Sequence, residues 1–173
     1  MELREYLSIR RAYNLVRQQT PADVRLTFEE FAILCRLDAS SAPMKTSDIA
    51  DYQGALRPTM THRTNRLEGL GLIERGEGVV DRRNIVCCIS EKGKVHVLEV
   101  ANSTCANIPT GQPLARVSAE RMKAYVDAMG CVYCTAGDLL LIVLLSNEPD
   151  HCTISNLVDR MEMVQWSGSF ESS

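Results

Sequence analysis

No apolar run in this 173-residue chain is long enough to cross a bilayer. The longest, LLLIVLL at residues 139–145, falls well short of the roughly 20 residues that a spanning helix needs. The opening Met-Glu-Leu-Arg-Glu-Tyr lacks the apolar core of a secretion signal. These absences lead to the expectation of a cytoplasmic protein with no membrane partner. Catalytic groupings are missing too: there is no Ser-His-Asp set, no glycine loop to cradle a phosphate and no pair of carboxylates sharing a pocket. His62 and His96 stand far apart, each in a helix where a simpler role suffices. The expectation is therefore a non-enzyme with no cofactor.

A large excess of either charge is also lacking. The 19 Lys and Arg against 22 Asp and Glu leave a formal net charge of −3. That balance argues weakly against a nucleic-acid partner, but docking follows local charge. Locally the picture changes. Arg57, Arg63, Arg66, Arg75, Arg82 and Arg83 fall within residues 57–83, with His62 among them and only Glu68, Glu74, Glu77 and Asp81 as acids. A basic face on an acidic body is the result. The hydrophobic share, 45%, is ample for a core and excludes a disordered chain. The length fits one domain, or one domain with an extension.

Apolar spacing and capping residues set out the elements. LREYLSIRRAYNLVRQ at 3–18 predicts an amphipathic helix with Leu3, Leu7, Ala12, Leu15 and Val16 as its apolar stripe, ended by Thr20-Pro21. Thr27-Phe-Glu-Glu30 is a capping box that opens a second helix through Phe31, Ile33, Leu34 and Leu37. After the loop DASSAP, Thr46 or Ser47 caps a short third helix that Gly54 closes. Pro58 suits the first turn of a fourth, in which Met60, Thr64, Leu67 and Leu70 form one buried stripe. Thr59, Thr61, His62, Arg63, Asn65 and Arg66 are left for its other faces.

Gly71 stops that helix. LIER and RNIVCCIS then read as two strands around the turn GEGVVD. Ser90-Glu-Lys-Gly93 opens a long helix to about residue 106, and Ser118 caps another from Ala119 to about Met129. Further helices are expected from Thr135 to about Leu145 and from about Ser155 to Met163.

Four helices, a hairpin and a long helix fit a mainly α fold with a small β-hairpin wing (α+β), a winged helix-turn-helix. The third and fourth helices are the helix-turn-helix. The hairpin is the wing, and its tip carries Asp81, Arg82 and Arg83. A hairpin tip beside a recognition helix is placed to reach an adjacent minor groove, and arginine suits that narrow, negative groove.

The stretch MTHRTNRLEGLGLIERGEGVVDRRNIVCCISEKGK, residues 60–94, resembles the MarR family of bacterial winged-helix transcription regulators. The likeness lies in the helix end RLEGLGLIER, the wing length, Asp-Arg-Arg at 81–83 and the SEKG opening of the next helix. LTFEEFAILCRL and TSDIADY resemble the two preceding helices, and the likeness spans roughly residues 1–130. It implies a homodimer held by the N- and C-terminal helices, a pseudo-palindromic double-stranded DNA operator, and release by a small hydrophobic effector or by oxidation. By position, Arg83 enters the minor groove and Asp81 holds it or its neighbour Arg82. Arg57, Thr59, Thr61, His62, Arg63 and Arg66 face the major groove or its phosphates. Thr64 departs from the pattern, standing where a bulkier aliphatic residue is usual, and Asn65 stands where an acid is common.

Residues 131–173 exceed the family minimum and form a C-terminal helical extension. Thr135 to about Met161 aligns without gaps on Thr27 to Gln53, so the extension reads as a degenerate partial repeat of the front helices that stops short of a recognition helix. The seven cysteines are expected as free thiols. Cys131-Val-Tyr-Cys134 is a single Cys-x-x-Cys, whereas a structural zinc needs four ligands; Cys105, His151 and Cys152 match no familiar spacing, so no metal is expected. Cys87 and Cys88, adjacent on a strand, point to opposite faces; with Cys131 and Cys134 they are the redox candidates.

Two functions from different classes remain. One is a sequence-specific DNA-binding regulator, a ligand- or redox-responsive homodimeric repressor. The other is a winged-helix interaction module that binds protein without reading DNA. The wing arginines favour the first.

Overall fold

The computed structural model describes residues 3–78 and 84–131. The described elements are α1 (Leu3–Gln19), α2 (Phe28–Ala39), β1 (Met44–Lys45), α3 (Thr46–Gln53), α4 (Arg57–Gly69), β2 (Ile73–Glu77), β3 (Ile85–Ile89), α5 (Glu91–Ala106) and α6 (Ala119–Met129). All belong to the first of two units, divided after Val132. Asp81, Arg82, Arg83 and Cys134 lie outside the described residues. So do the expected helices at 135–145 and 155–163 and the expected repeat; of the extension only Cys131 is described.

Local signals account for most of the boundaries. The Thr27 hydroxyl accepts from the Glu30 N–H at 3.1 Å and the Glu30 carboxylate accepts from the Thr27 N–H at 2.8 Å, so the capping box satisfies two N–H groups at the start of α2. Gly54 closes α3 at φ 58°, a left-handed cap that glycine adopts without a Cβ penalty. Ser90 and Ser118 accept from Gly93 and Arg121 N–H at the starts of α5 and α6.

The third helix departs from expectation at its start. Neither Thr46 nor Ser47 caps it; Lys45 is the N-cap and makes no side-chain cap bond. The Thr46 hydroxyl instead donates to the Ile85 carbonyl at 3.2 Å. That bond exists because Met44–Lys45, expected in no element, pairs with β3 and gives an antiparallel sheet of order β1-β3-β2.

The core is centred on α2, which packs against α5, α6 and β3. Phe31, Ile33 and Leu34 are wholly buried. Tyr13 of α1 stacks on Phe31 at 5.1 Å and meets Phe28 edge-on at 5.3 Å. The buried face of α1 is therefore Tyr6, Ile9, Ala12, Tyr13 and Val16, which shares Ala12 and Val16 with the expected stripe but adds Tyr6, Ile9 and Tyr13. Two tyrosines turn the helix inward, and the Tyr13 hydroxyl donates to the carbonyls of Leu26 and Thr27, both at 3.1 Å. Leu15 is left 37% exposed. Helix α6 is tied to α2 by Lys123–Asp38 at 2.7 Å and Arg36–Asp127 at 3.0 Å.

Candidate nucleic-acid interface

The helix-turn-helix is built from α3, a short turn at 54–56 and α4. Three apolar or satisfied side chains seat α4. Met60, Thr64 and Leu67 are fully buried, and the Thr64 hydroxyl donates to the carbonyls of Met60 at 3.0 Å and Thr61 at 3.2 Å. A threonine thus fills the position where a larger aliphatic residue was expected, with its polar atom paired inside the helix. Leu70, expected in the same stripe, is the C-cap and only half-buried.

Arg57, Thr59, Thr61 and His62 are exposed. Thr61 turns its hydroxyl to the Arg57 carbonyl at 3.0 Å. Leu56, the N-cap, makes no side-chain cap bond and is 77% exposed. The two remaining candidate arginines of α4 flank its buried stripe and are turned inward. Arg63 donates to Gln53 Oε1 at 2.7 Å. Arg66 donates to Glu30 Oε2 and to the Arg25 carbonyl, each at 2.6 Å. On the opposite flank Arg75 of β2 donates to Asn65 and, at 3.3 Å, to Glu68.

The wing's described strands pair from Ile73↔Ile89 to Glu77↔Ile85. The Gly78 N–H then donates to the Asn84 carbonyl at 2.8 Å, and the chain between those two residues holds Asp81, Arg82 and Arg83. Beside α4, a cleft of about 310 Å³ lies among α3, α4 and the roots of β2 and β3; Lys45, Arg57 and Arg75 line it. Sequence reading missed the part that Glu30, Gln53 and Arg75 play in holding α4. Glu30 was visible only as a cap, and nothing local marks the other two.

The thiols divide by face. Cys87 is buried and Cys88 half-exposed. Burial pushes the Cys87 thiol up, against the opposing effects of its bond to Thr46 and of Arg75, so it holds its proton and is a poor nucleophile at neutral pH. Cys131 is exposed. Among the described residues, no three of His, Cys, Asp and Glu converge as a metal site, and no helix is long and apolar enough to cross a membrane.

A helix-turn-helix followed by a paired hairpin is the arrangement expected from the resemblance, and residues 26–85 match the model of the MarR family. That stretch carries the likeness to the family. No curated protein matches it. Among solved structures, the transcriptional repressor CouR, bound to a 23-mer DNA duplex, is 20% identical, with 73% of this chain and 84% of that chain covered at a TM-score of 0.50. AbsC, a MarR family transcriptional regulator from Streptomyces coelicolor, is 23% identical, with 72% and 84% covered and a TM-score of 0.48. BldR, a transcriptional regulator from Sulfolobus solfataricus, is 16% identical, with 92% and 85% covered and a TM-score of 0.47. The likeness to CouR is one of fold, a winged helix.

Proposed function

We propose that this MarR-domain protein is a sequence-specific DNA-binding transcription regulator that acts as a homodimeric repressor. The observation that carries the reading is the exposed outer face of α4, with Arg57, Thr59, Thr61 and His62, on a helix whose other side is fully seated. In a winged helix-turn-helix that face enters the major groove. The wing residues Asp81, Arg82 and Arg83 serve the adjacent minor groove, Asp81 orienting the arginines. Residues 1–130 form the DNA-binding and dimerisation domain, and 131–173 a helical extension. Leu15 on α1 and Val95 and Leu98 on α5 are exposed apolar side chains on two helices that pack together, which supports dimerisation through those helices. Two recognition helices would then meet half-sites about 10 bp apart, or a multiple of that. A small hydrophobic effector releases DNA only if it prefers the non-binding geometry, since equal affinity for both shifts nothing.

The test is fluorescence anisotropy with DNA from just upstream of the protein's own gene, and unrelated DNA as control, across a salt series. Tight, salt-sensitive binding that prefers the upstream DNA is expected. Arg83→Ala should weaken binding to every sequence and lower the salt slope by about one unit. Absence of binding to either DNA at low salt sinks the regulator reading and leaves the interaction module.

A further inference from the structure

The arginines of a recognition helix are ordinarily assigned to the nucleic acid. In α4 two of them are already engaged. The Arg66 guanidinium spans two acceptors at 2.6 Å, Glu30 Oε2 and the Arg25 carbonyl. The Glu30 side chain is only 4% exposed, and the oxygen that receives Arg66 also receives the Thr27 N–H at 2.8 Å. One carboxylate oxygen therefore both caps α2 and anchors α4.

Arg63, nearly one turn earlier, reaches the same place through an intermediary. It donates to Gln53 Oε1 at 2.7 Å, and Gln53, itself buried, donates from Nε2 to the Glu29 carbonyl at 2.8 Å. Both arginines thus end on the first turn of α2. Swinging Arg66 out to a phosphate would strand a buried carboxylate without its cation, and breaking such a pair is strongly unfavourable. A two-point guanidinium clamp also fixes direction, because its donors are rigid and planar.

We propose that Arg66, supported by Arg63, is a positioning residue. It sets the angle of α4 against α2 through Glu30, and contact with DNA falls to the exposed side chains of α4 and to the wing. This inference rests on the regulator reading above and refines the share of each residue in it.

The test uses the full chain and DNA that the wild type binds. Anisotropy across a salt series is measured for Glu30→Gln, Arg66→Lys, Arg66→Gln and the Glu30→Gln/Arg66→Gln double variant, with circular dichroism and a thermal midpoint for each. Glu30→Gln removes a negative charge and keeps an oxygen for the cap, so by charge alone it should tighten DNA binding. The clamp instead requires it to weaken binding, by roughly tenfold at unchanged salt slope. Arg66→Lys keeps the charge but cannot span both acceptors, and should lose affinity as Glu30→Gln does. The double variant should be little worse than either single one, because one interaction is removed twice.

Wild-type affinity in Arg66→Lys overturns the proposal. A salt slope lower by about one in Arg66→Gln also overturns it, since that is the signature of a lost phosphate contact. If Arg66→Gln fails to fold, Glu30→Gln and Arg66→Lys decide. A wild type that binds no DNA defeats the regulator reading and this inference together. A wild type that binds while Glu30→Gln and Arg66→Lys leave it unchanged defeats the inference alone.

Discussion

A Cβ placed on Gly93 would collide with the carbonyl oxygen of Leu72 and come within 2.8 Å of Ile89 Cγ1. The first turn of α5 rests directly on the backbone that links α4 to the wing, and only a hydrogen fits between them. Gly93→Ala should therefore destabilise the fold by about 3 kcal/mol, in the range of overpacked sites. Gly69, in the last turn of α4, meets nothing within 4 Å. Gly69→Ala should be neutral or stabilising by up to about 1 kcal/mol. Urea denaturation of both variants checks the contrast; equal midpoints would contradict the close packing of α5. These two glycines look alike in sequence, and only the neighbour across space separates them.

Helix α2 is the element on which the rest is aligned. Its first turn receives the Glu30 cap, the Arg66 clamp, the Gln53 amide and, at 3.7 Å, Arg10 of α1 through Glu29. Thr27→Ala removes the hydroxyl that accepts from Glu30 N–H, while the Glu30 carboxylate keeps its other partners. A loss of about 1 kcal/mol is expected, the usual worth of an N-cap. A loss well above about 2 kcal/mol in a denaturant titration would mean that the cap and the clamp are coupled more tightly than separate bonds. This helix was readable in advance because its start is written in four consecutive residues, Thr27 to Glu30. The start of α3 was not readable in the same way. Thr46 had the chemistry of a cap, but a strand distant in sequence offered its hydroxyl another acceptor.

At the scale of the whole fold, His96 is, among the described residues, a source of pH dependence at mildly acid values. Burial lowers its folded-state pKa below the ordinary 6.5; nearby Glu99 opposes the shift and Lys92 adds to it. A base whose folded pKa is depressed binds its proton more readily in the unfolded chain. Its stabilising contribution is complete above about pH 6.5 and is lost as pH falls through the lowered folded value. Unfolding midpoints in urea at about pH 7.5 and about pH 5.5 should differ in that direction, and His96→Gln should reduce the difference. An identical difference in the variant would assign the dependence to other groups.

Apart from β1, the type and order of the described elements followed from the sequence alone, because caps, glycine stops and apolar spacing act within a few residues of the chain. Thr27–Glu30, Gly54, Ser90 and Ser118 all behave as their local chemistry requires. The family resemblance was legible for a related reason: the end of α4 and the strand after it form one contiguous stretch. The tertiary structure decided which face of α1 turns inward. Tyr6 and Tyr13, polar at their tips, carry the buried face of α1, and the short β1 exists only where β3 lies beside it. Arg63 and Arg66 read as part of the DNA-facing side of α4 until Gln53 and Glu30 stand opposite them. An arginine has the same charge in either place; whether that charge is offered to a phosphate or taken up by a buried carboxylate depends on partners the folded chain alone brings within 3 Å.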